Sequence, residues 1–353
     1  MTDKLFRVEM LPAHEGDCLF ISYGDTSSPR YIVIDGGRSS TWAFLKQKLV
    51  DALGHDGVCE LLVITHIDRD HIEGAISLVE DLAFAGRFKD VWFNGYHHLL
   101  DKSFEAFGPV QGERLSAALR KPRWAWNAAF GGAPVCVASD KPLSIELADG
   151  MLVTLLSPNR AKLSALAPKW ADEVEKAGLV LGKQSIEEPE GYEALGPIDV
   201  DMLAASPFHG DTSKPNGSSI AFLLEFEGKR ALFAGDAHVD LLIESLGPLA
   251  KRENGKVRID ALKVSHHGSK SNVSTELLNL LDCKRFLIST DGSHFRHPDR
   301  EAVARIVSTC GGDAELFFNY RSEQTTAWEN PKTVDRFGYR PIYSSNGQLV
   351  VDL

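Results

Sequence analysis

The chain is short of cysteine, of basic charge and of long apolar runs, and each shortage excludes a class of protein. It has five cysteines in 353 residues, an odd count with no C-x-x-C pair, which excludes a disulfide framework and a thiolate metal site. They read as small buried hydrophobes in a reducing compartment. Lysine and arginine number 38 against 49 aspartates and glutamates, a formal net charge of −11. An acidic chain repels extended polyanions, so long nucleic acid gripped by Lys and Arg is not the default partner. A phosphate-containing substrate, nucleic acid included, stays open, because bound metal ions would be the largest local charges. No apolar stretch approaches the length of a bilayer span, so no membrane partner is expected. The N-terminus has no apolar signal region, and a cytoplasmic location is the expectation.

What is present is ordinary globular composition, 43% hydrophobic and 25% charged. Short β-branched runs end abruptly in polar residues. Tyr31 to Ile34 meets Asp35-Gly36-Gly37, and Leu61 to Thr65 meets His66. Ile220 to Phe226 turns at Gly228 and returns as Ala231 to Phe233 into Gly235-Asp236. Asp260 to Ser265 meets His266-His267-Gly268, and Phe286 to Ser289 meets Thr290-Asp291. Such runs predict buried strands. Between them, Ile72, Ile76, Val79 and Leu82 share a helical face, Ser274 is placed to cap a helix, and a helix after Pro298-Asp299 stops at Gly311-Gly312. Alternating strands and helices predict an α/β architecture. Residues 99–200 break the pattern. They carry Trp124 and Trp126, a strand pair near Ser144 to Leu156 turning at Asp149-Gly150, and a helical stretch from Arg160 to Ala177. They read as an insertion or lid within one domain spanning 1–353.

The chemistry concentrates at strand ends. His66, Asp68, Asp70 and His71 put four metal-ligand types into six residues, directly after a buried strand. Imidazole and carboxylate together suit Zn²⁺, Mn²⁺ or Fe. Asp236 offers a carboxylate at another strand end. Asp35 is either a turn former or an orienting partner of a ligand. His266 and His267 would point to opposite faces if their strand continued, one into the site and one behind it. His294 and His297 follow a further strand. Ser269 and Lys270 could grip a phosphate.

Together these clusters resemble the metallo-β-lactamase superfamily, whose H-x-H-x-D-H motif appears here as H-x-D-x-D-H. With Gly235-Asp236, His266 to Lys270, Gly16-Asp17 and Asn216 to Ser219, the pattern is similar to the metallo-β-lactamase-like domain of the competence DNA-uptake protein ComEC. No channel segments accompany it, so a free-standing relative is expected. The resemblance implies a four-layer αββα sandwich of two mixed sheets flanked by helices. It implies two divalent ions, Zn²⁺ or Mn²⁺. His66 and Asp68 would hold the first, Asp70 and His71 the second, Asp236 would bridge them, and His297 would complete the second site. Asp70 would also accept a proton, and His267 or His266 would serve the substrate. Asn216 stands where relatives have a third ligand to the first metal, with His209 as an alternative. The implied activity is metal-dependent hydrolysis by a metal-bound hydroxide, on a phosphodiester or as a nuclease. Cleavage of another ester, lactone or thioester, or a non-catalytic metal-binding role, is the alternative.

Overall fold

Apolar residues alternate in facing along the strands, as a pleat of period two requires. Ile32 and Ile34 join one core while Val33 joins another, and Leu61 and Val63 part from Leu62 in the same way. Both faces of both sheets are therefore buried, and three cores separate four layers. The computed structural model describes residues 3–99, 110–137, 143–176 and 198–353.

The first sheet orders its strands as Leu349–Asp352, Lys4–Met10, Leu19–Asp25, Ser28–Ile34, Leu61–Val63 and Val91–Trp92. The second runs Arg340–Tyr343, Glu315–Phe318, Arg285–Ile288, Ala261–Lys263, Lys229–Phe233, Ala221–Phe226, Leu152–Ser157 and Ser144–Glu146. Each mixes parallel and antiparallel pairs. The central core interleaves Phe20's neighbours Leu19 and Ile21 with Phe222, Leu224 and Phe233 of the opposite sheet. Helices Trp42–Leu53 and Arg69–Glu80 cover the first sheet, and Val239–Arg252 and Arg300–Cys310 cover the second. The αββα sandwich implied by the sequence is the observed fold.

Several local expectations meet the structure with small shifts. Ser274 caps its helix, accepting from the Leu277 amide at 3.1 Å, but the helix stops at Asn279 because Leu281–Cys283 pairs as a strand with Val257–Ile259. Leu82 does not share the buried helical face. Asp81 leaves helical angles and accepts from the Ala83 amide at 3.0 Å, starting a new turn that leaves Leu82 83% exposed. Trp124 and Trp126 pack against the core under the first sheet, the Trp126 indole donating to Phe93 O at 2.8 Å.

The described part of 99–200 is woven into the sandwich. Leu152–Ser157 pairs antiparallel with Ala221–Phe226, and Leu115, Leu163, Leu166 and Trp170 extend the outer core of the first sheet. Of the expected insertion or lid, 100–109, 138–142 and 177–197 lie outside the described residues, as does Ala177 at the end of the helix Arg160–Lys176. All five cysteines are unpaired, and Cys18, Cys59 and Cys283 are buried. Among the described residues no helix is long and apolar enough to cross a membrane.

Candidate metal centre

Loops at strand ends converge where the two sheets meet. The strand Leu61–Val63 runs on through Thr65 to His66, and the helix Arg69–Glu80 follows at once, so Asp70 and His71 lie in its first turn. A carboxylate there also meets the positive end of the helix dipole. Lys229–Phe233 leads to Gly235-Asp236, where Gly235 has φ 49° and a side chain on it would strike the Ser219 hydroxyl at 2.4 Å. That hydroxyl accepts from the Asp236 amide at 3.0 Å.

Ala261–Lys263 enters the turn Ser265–Gly268, in which His266 and His267 take φ of 48° and 54°. Their strand does not continue, so the rings are not divided between opposite faces. The left-handed turn brings both to Asp236, His266 Nε2 lying 3.7 Å from Oδ2 and His267 Nε2 3.9 Å from Oδ1. Backbone of this kind costs about 1–3 kcal/mol per residue and persists only where surroundings impose it.

Asp236 is the hub. Its Oδ2 lies 3.6 Å from His66 Nε2 and 3.5 Å from His71 Nε2. Asp68 Oδ2 stands 3.6 Å from His66 Nε2. Asp70 Oδ2 stands 3.7 Å from His71 Nε2 and 3.4 Å from His267 Nε2. The Nε2 atoms of His71 and His267 are 3.2 Å apart.

Hydrogen bonds behind the rings settle where their protons sit. Asp35, fully buried, accepts from the Thr65 amide at 2.7 Å, the Thr65 hydroxyl at 2.8 Å and His71 Nδ1 at 2.9 Å. The His71 proton is therefore on Nδ1. Since Thr65 spends its own proton on Asp35, its oxygen accepts from His66 Nδ1, 3.0 Å away. His267 Nδ1 donates to Ser289 O at 2.8 Å. His266 Nδ1 donates to Asn272 Oδ1 at 2.9 Å, because the Asn272 amide nitrogen faces Asp211 Oδ2 at 3.1 Å. All four rings thus turn Nε2 toward the Asp236 carboxylate, as a lone pair when the ring is neutral and as an N–H when it is protonated.

Burial disfavours charge on His71, His267, Asp70 and Asp236, yet mutual attraction wins. Burial would push His267 down, but Asp17 and Asp236 hold it up at about 10. Likewise, His71 is held well above its ordinary value by Asp236, Asp70 and Asp35 against the pull of burial. Asp236 and Asp70 lie below the usual carboxylate range, burial being overridden by the neighbouring imidazoles. The cluster calls for positive charge at its middle, supplied by protons or by cations.

The donor set fits cations. His66 Nε2 and Asp236 Oδ1 are buried without a hydrogen-bond partner, and so are Asn216 Oδ1 and Asp17 Oδ1. Asp17, His71, Asp236 and His267 offer ligand atoms that all lie within 4.8 Å of one another. Two tetrahedral ligands of one zinc ion sit about 3.4 Å apart, close to the separations here.

The remaining candidates are placed less centrally. The His297 ring stacks edge-on 5.3 Å from His266, its buried Nδ1 3.7 Å from Asp299, so the ring meeting Asp70 and His71 is that of His267. Asn216 donates to Asp211 Oδ2 at 2.8 Å, which leaves its Oδ1 free. The Ser269 hydroxyl accepts from the Ser271 amide at 3.3 Å, and the Lys270 ammonium pairs with Glu301 at 3.1 Å. His209 is exposed.

Sequence reasoning gave no site role to Asp17, Lys263, Asp211 or Asn272. Asp17 is pinned by the buried Lys263 ammonium and reaches His267 Nδ1 at 3.5 Å. Its signal was a Gly-Asp pair beside a strand, the same as Gly235-Asp236. Gly16 is required there, since a Cβ on it would meet Asp70 O at 1.9 Å.

No known protein-family profile matches the chain. Residues of the chain align with ComE operon protein 3 of Bacillus subtilis (strain 168) at 27% identity over 120 residues, 34% of this chain and 15% of that protein. The chain thus matches a small part of the length of that curated relative. Among solved structures, YhfI, a metallo-β-lactamase fold protein of Bacillus subtilis, aligns over 98% of this chain and 99% of its own at 11% identity, TM-score 0.41. Zn²⁺-bound PqqB of Methylobacterium extorquens aligns over 98% of this chain and 100% of its own at 13% identity, TM-score 0.43. The expected likeness to metallo-β-lactamase fold proteins is there. At these identities it carries no functional weight, and the donor geometry stands by itself.

Proposed function

We propose that this chain is a metal-dependent hydrolase that cleaves phosphodiesters. What carries the reading is the ring of inward Nε2 atoms around Asp236, each oriented by a hydrogen bond behind it and offering a lone pair once a cation replaces its proton. In this reading His66, Asp68 and Asp236 hold one divalent ion, and Asp70, His71, His267 and Asp236 hold a second. His267 then takes the place the family pattern suggested for His297. Two such ions, Zn²⁺ or Mn²⁺, supply Lewis acidity and a nucleophilic water near neutral pH. The carboxylate-rich donor set suits the harder ion of the two.

The chain's own groups do the rest. Asp70 faces both His71 and His267 and is placed to take a proton. His266 is the more exposed ring, 23% against 1% for His267, so it stands at the mouth. There its Nε2 can take up a proton and return it to a leaving oxygen. Asn216 keeps Oδ1 free for the first ion or for substrate.

The test combines metal content with turnover. Purified protein should carry about two divalent ions per chain and release p-nitrophenol from bis-p-nitrophenyl phosphate. The Asp236→Asn protein, folded by circular dichroism, should lose both ions and at least about 100-fold in rate. Equal turnover by the two proteins would overturn the reading. Activity confined to a lactone panel would move the substrate class and leave the metal centre standing.

A further inference from the structure

A cavity of about 260 Å³ opens beside the centre, lined by Lys162, Asp211, Thr212, Lys214, Gly217, His238 and Asp240 among others. Its walls show a surplus of one kind of hydrogen-bonding group. Every carboxylate oxygen in the walls already has a donor. Asp211 Oδ1 accepts from the Ser213 amide at 2.8 Å, and Asp211 Oδ2 accepts from Asn216 and Asn272 at 2.8 and 3.1 Å. Asp240 Oδ2 takes the Lys162 ammonium at 2.7 Å, and Asp240 Oδ1 takes the Leu241 amide at 2.7 Å. His238 donates from Nε2 to Ser213 O at 2.8 Å and turns Nδ1 to Lys162 at 3.0 Å.

The donors are not used up. Lys162 has three N–H groups and two partners here. Among the described residues the Lys214 ammonium and the Thr212 hydroxyl, both on exposed residues, have no partner. Gly217 keeps the wall open, since a Cβ on it would meet the His238 ring at 2.9 Å. Asp211 forms the wall between the cavity and the centre, standing 3.6 Å from His266 Nδ1.

We propose that this cavity is a subsite for a second anionic group of the substrate, a phosphate carried on the same molecule as the scissile phosphodiester, held by Lys162, Lys214 and Thr212. The proposal rests on the phosphodiesterase reading above and narrows its substrate class to compounds bearing a further phosphate. The space admits more than a bare ion, and the donors suit an oxyanion's acceptor-only oxygens.

Two measurements separate this proposal from the reading it rests on. The first uses thymidine 5′-(p-nitrophenyl phosphate) with and without a 3′-phosphate as substrates of the metal-loaded protein. Wild type should prefer the 3′-phosphorylated ester by about tenfold or more in kcat/KM, the effect of one charge-assisted contact. Lys214→Ala and Lys214→Gln should bring the preference to within about twofold. The second is calorimetric binding of thymidine 3′,5′-bisphosphate, which needs no turnover. Its Kd should weaken about tenfold in Lys214→Ala and further in Lys214→Glu. Equal kcat/KM for both esters in wild type, or unchanged Kd in the Lys214 variants, would overturn the subsite. If neither ester is hydrolysed yet the bisphosphate binds in a Lys214-dependent way, the phosphodiesterase reading falls and the anion site stands.

Discussion

Replacing Asp35 by Asn should perturb the proposed metal centre without touching a donor that faces its middle. Asp35 sits at φ 59°, a left-handed conformation that Asn adopts as readily, and the two side chains are nearly isosteric. The change is therefore one of hydrogen bonding. The carboxylate accepts three bonds, one at Oδ1 and two at Oδ2. An amide has only one acceptor end, so either orientation sets its NH₂ against a donor. With the nitrogen at Oδ2, the Thr65 hydroxyl must turn to His66, and His71 must carry its proton on Nε2. Both rings would then present N–H where lone pairs faced Asp236. Each bond to an ionised acceptor is worth about 1.5–3 kcal/mol, so with part of the set retained the variant loses about 2–4 kcal/mol of stability. Metal affinity falls about 10–100-fold, the usual effect of losing an orienting partner. Chelator competition reads the affinity, and ¹⁵N shifts of the imidazoles read the tautomers. An Asp35→Asn protein that binds metal within about twofold of wild type, with His66 and His71 still protonated at Nδ1, would refute the reasoning.

Three further outcomes follow from packing and charge. Lys263→Met strands the buried Asp17 carboxylate and should cost about 3–5 kcal/mol in urea unfolding; adding Asp17→Asn should recover a good part of it. Gly74→Ala should destabilise by about 1–3 kcal/mol or more despite alanine's helical preference, because its Cβ would stand 2.0 Å from Gly36 O, a backbone atom that cannot swing away. Asp260 is held below the usual carboxylate range: burial opposes this, but the Arg230 amide and Lys229 override it. Its contribution is present above the unfolded value near about 3.9 and is lost as pH falls toward the folded one. Urea midpoints between about pH 5 and 3 should fall less steeply for Asp260→Asn than for wild type.

Much of the centre was legible because its parts are local. His66 to His71 lie within six residues, and the strand before them and helix after them can be read from apolar spacing alone. Asp236 was legible for a similar reason, as a carboxylate at the end of an apolar run. The α/β class came from the alternation of short buried strands with helices, whereas the four-layer αββα sandwich came from the family resemblance. The choice between His267 and His297 was not legible. It depends on whether the chain continues as a strand after Val264 or folds into a left-handed turn, and nothing in His266-His267-Gly268 announces positive φ at both histidines. Leu82 was misplaced for a related reason, since a capping aspartate ended the helix before the periodicity did.

The chain's own order of residues determined which chemical groups exist and which of them sit at strand ends, because secondary structure answers to neighbours a few positions away. Only the folded sandwich decided which groups meet. Asp17 and Lys263 are 246 residues apart, and His71 and His267 are 196 apart. Their contact comes from two sheets closing on a shared core, and that is a property of side-chain volume and burial summed over the whole molecule. The proton on each imidazole was settled at the same level, because it follows from whichever acceptor the fold happens to put behind the ring.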